Sequence, residues 1–130
     1  MPIETYAQFW PFYLSQHRSA ATRNVHFIGT SGFLALIIVA AITRSGWPLL
    51  LAVLTFYIPA WFAHFFIEGN RPASWRYPSW SFVSDVRMLL LWLTGGLSAE
   101  IARLDNSPMT SADLDRPAER DTPARRMDDR

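Results

Sequence analysis

The sequence predicts an all-α integral membrane protein built on an antiparallel transmembrane helical hairpin, and three features carry that expectation. Residues 27–42, FIGTSGFLALIIVAAI, run for sixteen positions without a charge, and residues 47–67, WPLLLAVLTFYIPAWFAHFFI, run for twenty-one with a single titratable histidine. Only TRSG separates them, a link short enough to return the second helix alongside the first. In a chain of 130 residues there is too little other material to cover two helices that are apolar all round, so lipid is their expected solvent.

Taken in order, residues 3–24 (IETYAQFWPFYLSQHRSAATRN) mix aromatic rings with polar groups, as a helix in the headgroup region would, with Pro11 a point of division. They lack the basic-then-apolar order of a signal peptide. Trp10, Tyr13, Trp75, Tyr77 and Trp80 fit an interfacial aromatic belt. The first apolar run covers about 24 Å as a helix, slightly short of a bilayer core unless Arg44 snorkels. In the second, Pro48 suits the first helical turn, while Pro59 is expected to bend the helix and open room beside His64. A third apolar segment, FVSDVRMLLLWLTGGL at 82–97, carries Asp85 and Arg87 near its start. It reads as a re-entrant or interfacial helix, or a short span completed by protein contacts. From Ser98 the text turns to Asp, Arg, Pro and Ala, a tail expected to be disordered beyond a short helical start. The expected organisation is therefore a membrane-embedded domain at 1–97 and a charged tail at 98–130.

The formal charge of +1 conceals two opposite halves: six Arg against three acids up to Leu97, then six Arg against eight acids. Arg18, Arg23, Arg71 and Arg76 flank the same ends of the two spans. That bias places those ends and the N-terminus in the cytoplasm, within the inner membrane if the source is bacterial. The absence of cysteine excludes disulfides and thiol catalysis, and the absence of lysine excludes Schiff-base chemistry. No basic, aromatic-laced surface suggests nucleic acid.

The hairpin fixes where the three histidines go. His17 and His26 precede the first crossing, whereas His64 and Glu68 end the second, so all four reach one membrane face. His64 and Glu68 share a side of a regular helix; His17 and Asn24 would do so if their segment were continuously helical. Asp85 can approach the same place. Imidazoles with carboxylates and no thiolate suit Fe, Mn or Zn. Structural alternatives stand beside each: hydrogen-bonded histidines, Glu68 paired with Arg71 or Arg76, and Asp85 capping its helix or pairing with Arg87. Arg71 or Arg76 could hold a lipid carboxylate.

Four stretches, YAQFWPFYLSQH, RNVHFIGTS, AHFFIEGNRPA and YPSWSFVSDVRM, give the chain a specific likeness over roughly residues 6–97. In that order it resembles the family of small membrane proteins related to the fungal 2-hydroxy-palmitate dioxygenase. The resemblance implies an Fe(II)-dependent membrane enzyme that uses O₂ to shorten a 2-hydroxy fatty acid by one carbon. It implies essential histidines at His17, His26 and His64, with Glu68 a candidate fourth ligand. Asp85 would orient a ligand histidine and Asn24 would hydrogen-bond the substrate hydroxyl. Two other classes compete: a zinc-dependent lipid hydrolase with Glu68 as base, and a non-catalytic lipid-binding or assembly protein. Oligomeric state is open; small residues in the first span could pack a sister helix.

Overall fold

The computed structural model describes residues 3–106. Helix α1 (Tyr6–Ser15) opens on a capping box: the Thr5 hydroxyl accepts from the Gln8 backbone N–H, and the Gln8 side chain accepts from the Thr5 N–H. The helix continues through Pro11 and ends at Ser15, so residues 17–24 are not one helical face with His17 on it. It is also less of a surface helix than its sequence suggests. Phe9, Trp10, Tyr13 and Leu14 form a buried stripe against Met88, Leu89 and Leu97. Phe9 packs on the rings of Tyr77 and Trp80 with centroids 5.3 and 5.6 Å away. Trp10 and Tyr13 thus belong to a core, whereas Trp75 stays exposed.

The hairpin is α2 (Ala20–Thr43) and α3 (Trp47–Ala63), with α3 continued by a wide π-type turn over His64–Glu68. Both stretches, 24 and 22 residues, are long and apolar enough to cross a membrane. The first starts seven residues before the uncharged run, under the Ser19 cap, which gives it about 36 Å at 1.5 Å per residue and removes the expected shortfall. The hairpin's outer side chains, among them Ile28 and Ile42 on α2 and Leu50, Ile58 and Phe66 on α3 and its continuation, point away from the protein, as lipid contact requires.

The two helices approach closely because α2 offers glycine where α3 offers Thr55. A methyl group at Gly29 would lie 3.1 Å from the Thr55 carbonyl, and one at Gly32 would lie 2.7 Å from the Thr55 methyl. Pro59 stands four residues after Thr55 and cannot donate to that carbonyl, which leaves the oxygen free beside Gly29.

Helix α4 (Pro78–Leu93) begins earlier than the third apolar run, with Pro78 at its first position. Ser81, Ser84, Asp85, Met88 and Leu89 form its buried face, the i, i+3, i+4, i+7, i+8 spacing of a helix packed on one side. After a turn at Gly95, α5 (Leu97–Asp105) departs at 113°, so α4 and α5 read as a broken or re-entrant span. The folded part therefore runs past Leu97, and the Trp10 indole N–H ties α5 down by donating to Glu100 at 2.9 Å. Of the tail expected at 98–130, the first part is helical in α5, and residues 107–130 lie outside those described.

Candidate metal centre

Three separate pieces of backbone deliver the histidines. His17 sits in the link between α1 and α2, where Arg23 donates to the carbonyls of His17 and Arg18 at 2.9 and 2.6 Å. His26 lies nearly two turns into α2, and His64 opens the wide turn at the end of α3. All three are buried, and one ring nitrogen of each lies within 4.8 Å of the others. The rings meet edge to face, with centroids 4.4 Å (His17–His26), 4.7 Å (His17–His64) and 5.3 Å (His26–His64) apart.

The second nitrogen of each ring is already engaged. His17 Nδ1 donates to the Tyr13 carbonyl at 2.7 Å, and His26 Nδ1 donates to Asp85 Oδ1 at 2.5 Å. His64 Nδ1 donates to Asn70 Oδ1 at 2.7 Å. The Asn70 amide is oriented by its own donation to the Gln16 carbonyl at 3.1 Å. Acceptors at all three Nδ1 positions place the N–H of a neutral ring there, and in that form Nε2 keeps its lone pair. Burial, with His26 and His64 alongside, holds the His17 imidazole well below its ordinary 6.5 and keeps it neutral. Yet His17 Nε2 and His26 Nε2 are only 3.2 Å apart. Two lone pairs at that distance repel unless a cation lies between or beside them. This donor set fits a divalent first-row metal.

Behind His26 the Asp85 oxygen also accepts from the Tyr13 hydroxyl at 2.5 Å. Burial first, and the Asp85 charge second, push that hydroxyl well above 10.0, so Tyr13 is a donor throughout the neutral range. Its ring stacks on His17 at 4.1 Å. Tyr13 therefore braces two of the three histidines at once.

The histidines face a hollow of about 10 Å³, room for one water-sized sphere, walled in part by Phe56, Tyr57, Ala60, Trp61, Ser81 and Asp85. Pro72, Ala73 and Ser74 close another side. No single sequence motif describes it, because its histidines come from three separate segments, nine and thirty-eight residues apart in sequence.

Of the other expected site residues, the structure brings Asp85 to this cluster and separates Glu68, Asn24, Arg71 and Arg76 from it. Glu68 turns to the start of α2, where it accepts from the Ser19 backbone N–H at 2.8 Å. The reason is the wide turn: with bonds from i+5 to i, the residue lying over His64 is no longer the fourth one on. Asn24 is exposed on α2 and lines a different hollow with Arg23, Phe27 and Trp92. Arg71 and Arg76 are exposed at either side of the Pro72–Trp75 stretch, Arg76 lying 5.5 Å from the Tyr77 ring centre. Asp85 stands behind His26 as described. Sequence reasoning missed Asn70 and Tyr13 as histidine partners. Gly69, at φ 68°, reverses the chain so that the Asn70 backbone N–H reaches the His64 carbonyl at 3.0 Å while its side chain reaches the ring.

The chain matches, over residues 3–97, the family described as 2-hydroxy-palmitic acid dioxygenase Mpo1-like. No curated protein and no solved structure matches it. The chain belongs to the Mpo1-like family, and that membership together with the three-histidine cluster supports a metal-dependent oxidative enzyme associated with membrane lipid.

Proposed function

We propose that this member of the Mpo1-like family is an Fe(II)-dependent dioxygenase that removes one carbon from 2-hydroxy fatty acids at the membrane interface. The observation that carries the reading is the set of three buried imidazoles whose Nδ1 atoms are all hydrogen-bonded and whose ring nitrogens converge on one small hollow. His17, His26 and His64 would hold the iron. When bound, it would supply the redox activation of O₂ and a Lewis-acid contact for an oxygen of the acid.

The reaction balances without an outside reductant. The C1–C2 bond breaks, the carboxyl carbon leaves as CO₂, C2 becomes the new carboxyl, and one water accounts for the remaining oxygen of O₂. The protein's own part is positional. Asp85, Asn70 and the Tyr13 carbonyl hold the rings; Arg71 and Arg76 flank the hollow's outer wall, where they would attract the acid's carboxylate. Tyr57 and Trp61 line its apolar side, next to the lipid in which the alkyl chain would remain. The excess of Arg18, Arg23, Arg71 and Arg76 over Arg44 supports a cytoplasmic location for this face.

The test is elemental analysis of full-length protein purified without chelator or imidazole, followed by anaerobic Fe(II) loading and O₂ uptake with 2-hydroxypalmitic acid. Near-stoichiometric iron, and a shortened acid formed in step with O₂ consumed, are expected. Tightly held zinc with turnover of a lipid ester and no O₂ uptake would replace this reading with hydrolysis. Folded protein that binds no divalent metal would end it.

A further inference from the structure

Three side-chain hydroxyls are buried with no hydrogen-bond partner among the described residues: Thr22, Thr30 and Ser81. Thr22 and Thr30 lie on α2 away from the hollow's lining. Ser81 lines it, with only 4% of its surface exposed. Ser81 and Asp85 are one turn apart on the buried face of α4, so the turn that braces His26 also presents Ser81 beside it. The neighbouring Ser84, also buried, has a partner: it donates to the Tyr6 hydroxyl at 3.2 Å. An unpartnered buried hydroxyl is costly and therefore uncommon. At a hollow already lined by three imidazoles, it is a group awaiting a polar ligand.

We infer that Ser81 is a ligand-binding residue, its hydroxyl donating a hydrogen bond to a carboxylate oxygen of the acid that shares the metal with the three histidines. The inference rests on the metal reading above and adds to it a residue outside the three histidines, whose hydroxyl hydrogen-bonds none of them. A hydroxyl suits the task better than a second cation, since it anchors an anionic oxygen through one charge-assisted bond without competing with the metal for charge.

The experiment uses the full chain in lipid nanodiscs, loaded anaerobically with Co(II) as a spectroscopic probe and titrated with 2-hydroxypalmitic acid. Wild type is compared with Ser81→Ala and with Ser81→Cys, which keeps the shape with a weaker donor. Metal stoichiometry is expected to be equal in all three. Ser81→Ala is expected to weaken the acid about tenfold or more, the range for a hydrogen bond to a charged group, with Ser81→Cys between. The ligand-free melting temperature of Ser81→Ala should equal or exceed that of wild type, because an unpaired buried hydroxyl has been removed. An unchanged dissociation constant at full metal loading would overturn the Ser81 inference alone, as would a clear fall in ligand-free stability. Failure of wild type to bind Co(II) would overturn the metal reading and this inference with it.

Discussion

The two ends of the α2–α3 hairpin are built in opposite ways. At the turn end the chain passes from Thr43 through Arg44, held at φ 51°, to Gly46, whose added Cβ would meet nothing within 4 Å. There the Thr43 hydroxyl serves its own helix, donating to the Val39 carbonyl at 2.7 Å. At the site end several polar side chains reach residues far away in sequence: Asp85 bonds Tyr13 and His26, Asn70 bonds Gln16, and Glu68 bonds Ser19. One end closes a loop; the other fixes three rings. The difference teaches where this small protein concentrates its specificity, and it can be broken or sharpened at graded cost.

The largest effect is expected from His26→Ala, which on the proposed reading removes a metal ligand and leaves Asp85 with the Tyr13 hydroxyl alone. Retained metal should fall at least about 100-fold in affinity, beyond the range for loss of an outer partner, as read by elemental analysis. Next is Asp85→Asn, which keeps the shape but removes the carboxylate charge behind His26 and lets an amide N–H₂ compete for its Nδ1; metal affinity should fall about 10–100-fold, with Asn70→Ala toward the lower figure. A variant of either kind that binds metal as wild type does would show that the site end tolerates change as the turn end does.

A third prediction concerns the middle of the pair. Gly32→Val would press into the Thr55 methyl and should cost about 1–3 kcal/mol of stability, measured by detergent-resolved unfolding. The fourth concerns pH. His17 is held neutral by a depressed folded pKa, whereas the unfolded chain protonates near 6.5, so the unfolded state binds more protons in the window below that value. Stability of the metal-free protein should therefore be full above pH 6.5 and decline as pH falls through that window; His17→Gln should flatten the decline. Smallest of all, Gly46→Ala at the open turn should shift stability by no more than about 1 kcal/mol. A larger loss there would erase the contrast between the ends.

Much of this was legible in the sequence, and the part that was not has a physical reason. Two apolar runs and a four-residue link specified the hairpin. The parity of one hairpin then brought His17, His26 and His64 to one face, because that argument needs only chain order. Side-chain partners need local backbone angles, which a regular helix wheel misstates. The wide turn after His64 moved Glu68 off the histidine's face and put Asn70 onto it, although Asn70 reads as an ordinary helix stop. Tyr13 was similarly disguised: an aromatic near a membrane surface looks like a belt residue, and only the packing of α1 on α4 turns its hydroxyl to Asp85. The helical segment past Leu97 was likewise set by contact, through Trp10 and Glu100, more than by composition.

The hollow between the histidines holds about one water-sized sphere. On the proposed reading, such a space has no ruler in it: it can grip the head of an acid but cannot count the carbons behind. Length would then be judged before the protein is reached, by how readily each acid dissolves in the bilayer, so that the membrane acts as the first stage of substrate selection and the protein as the second.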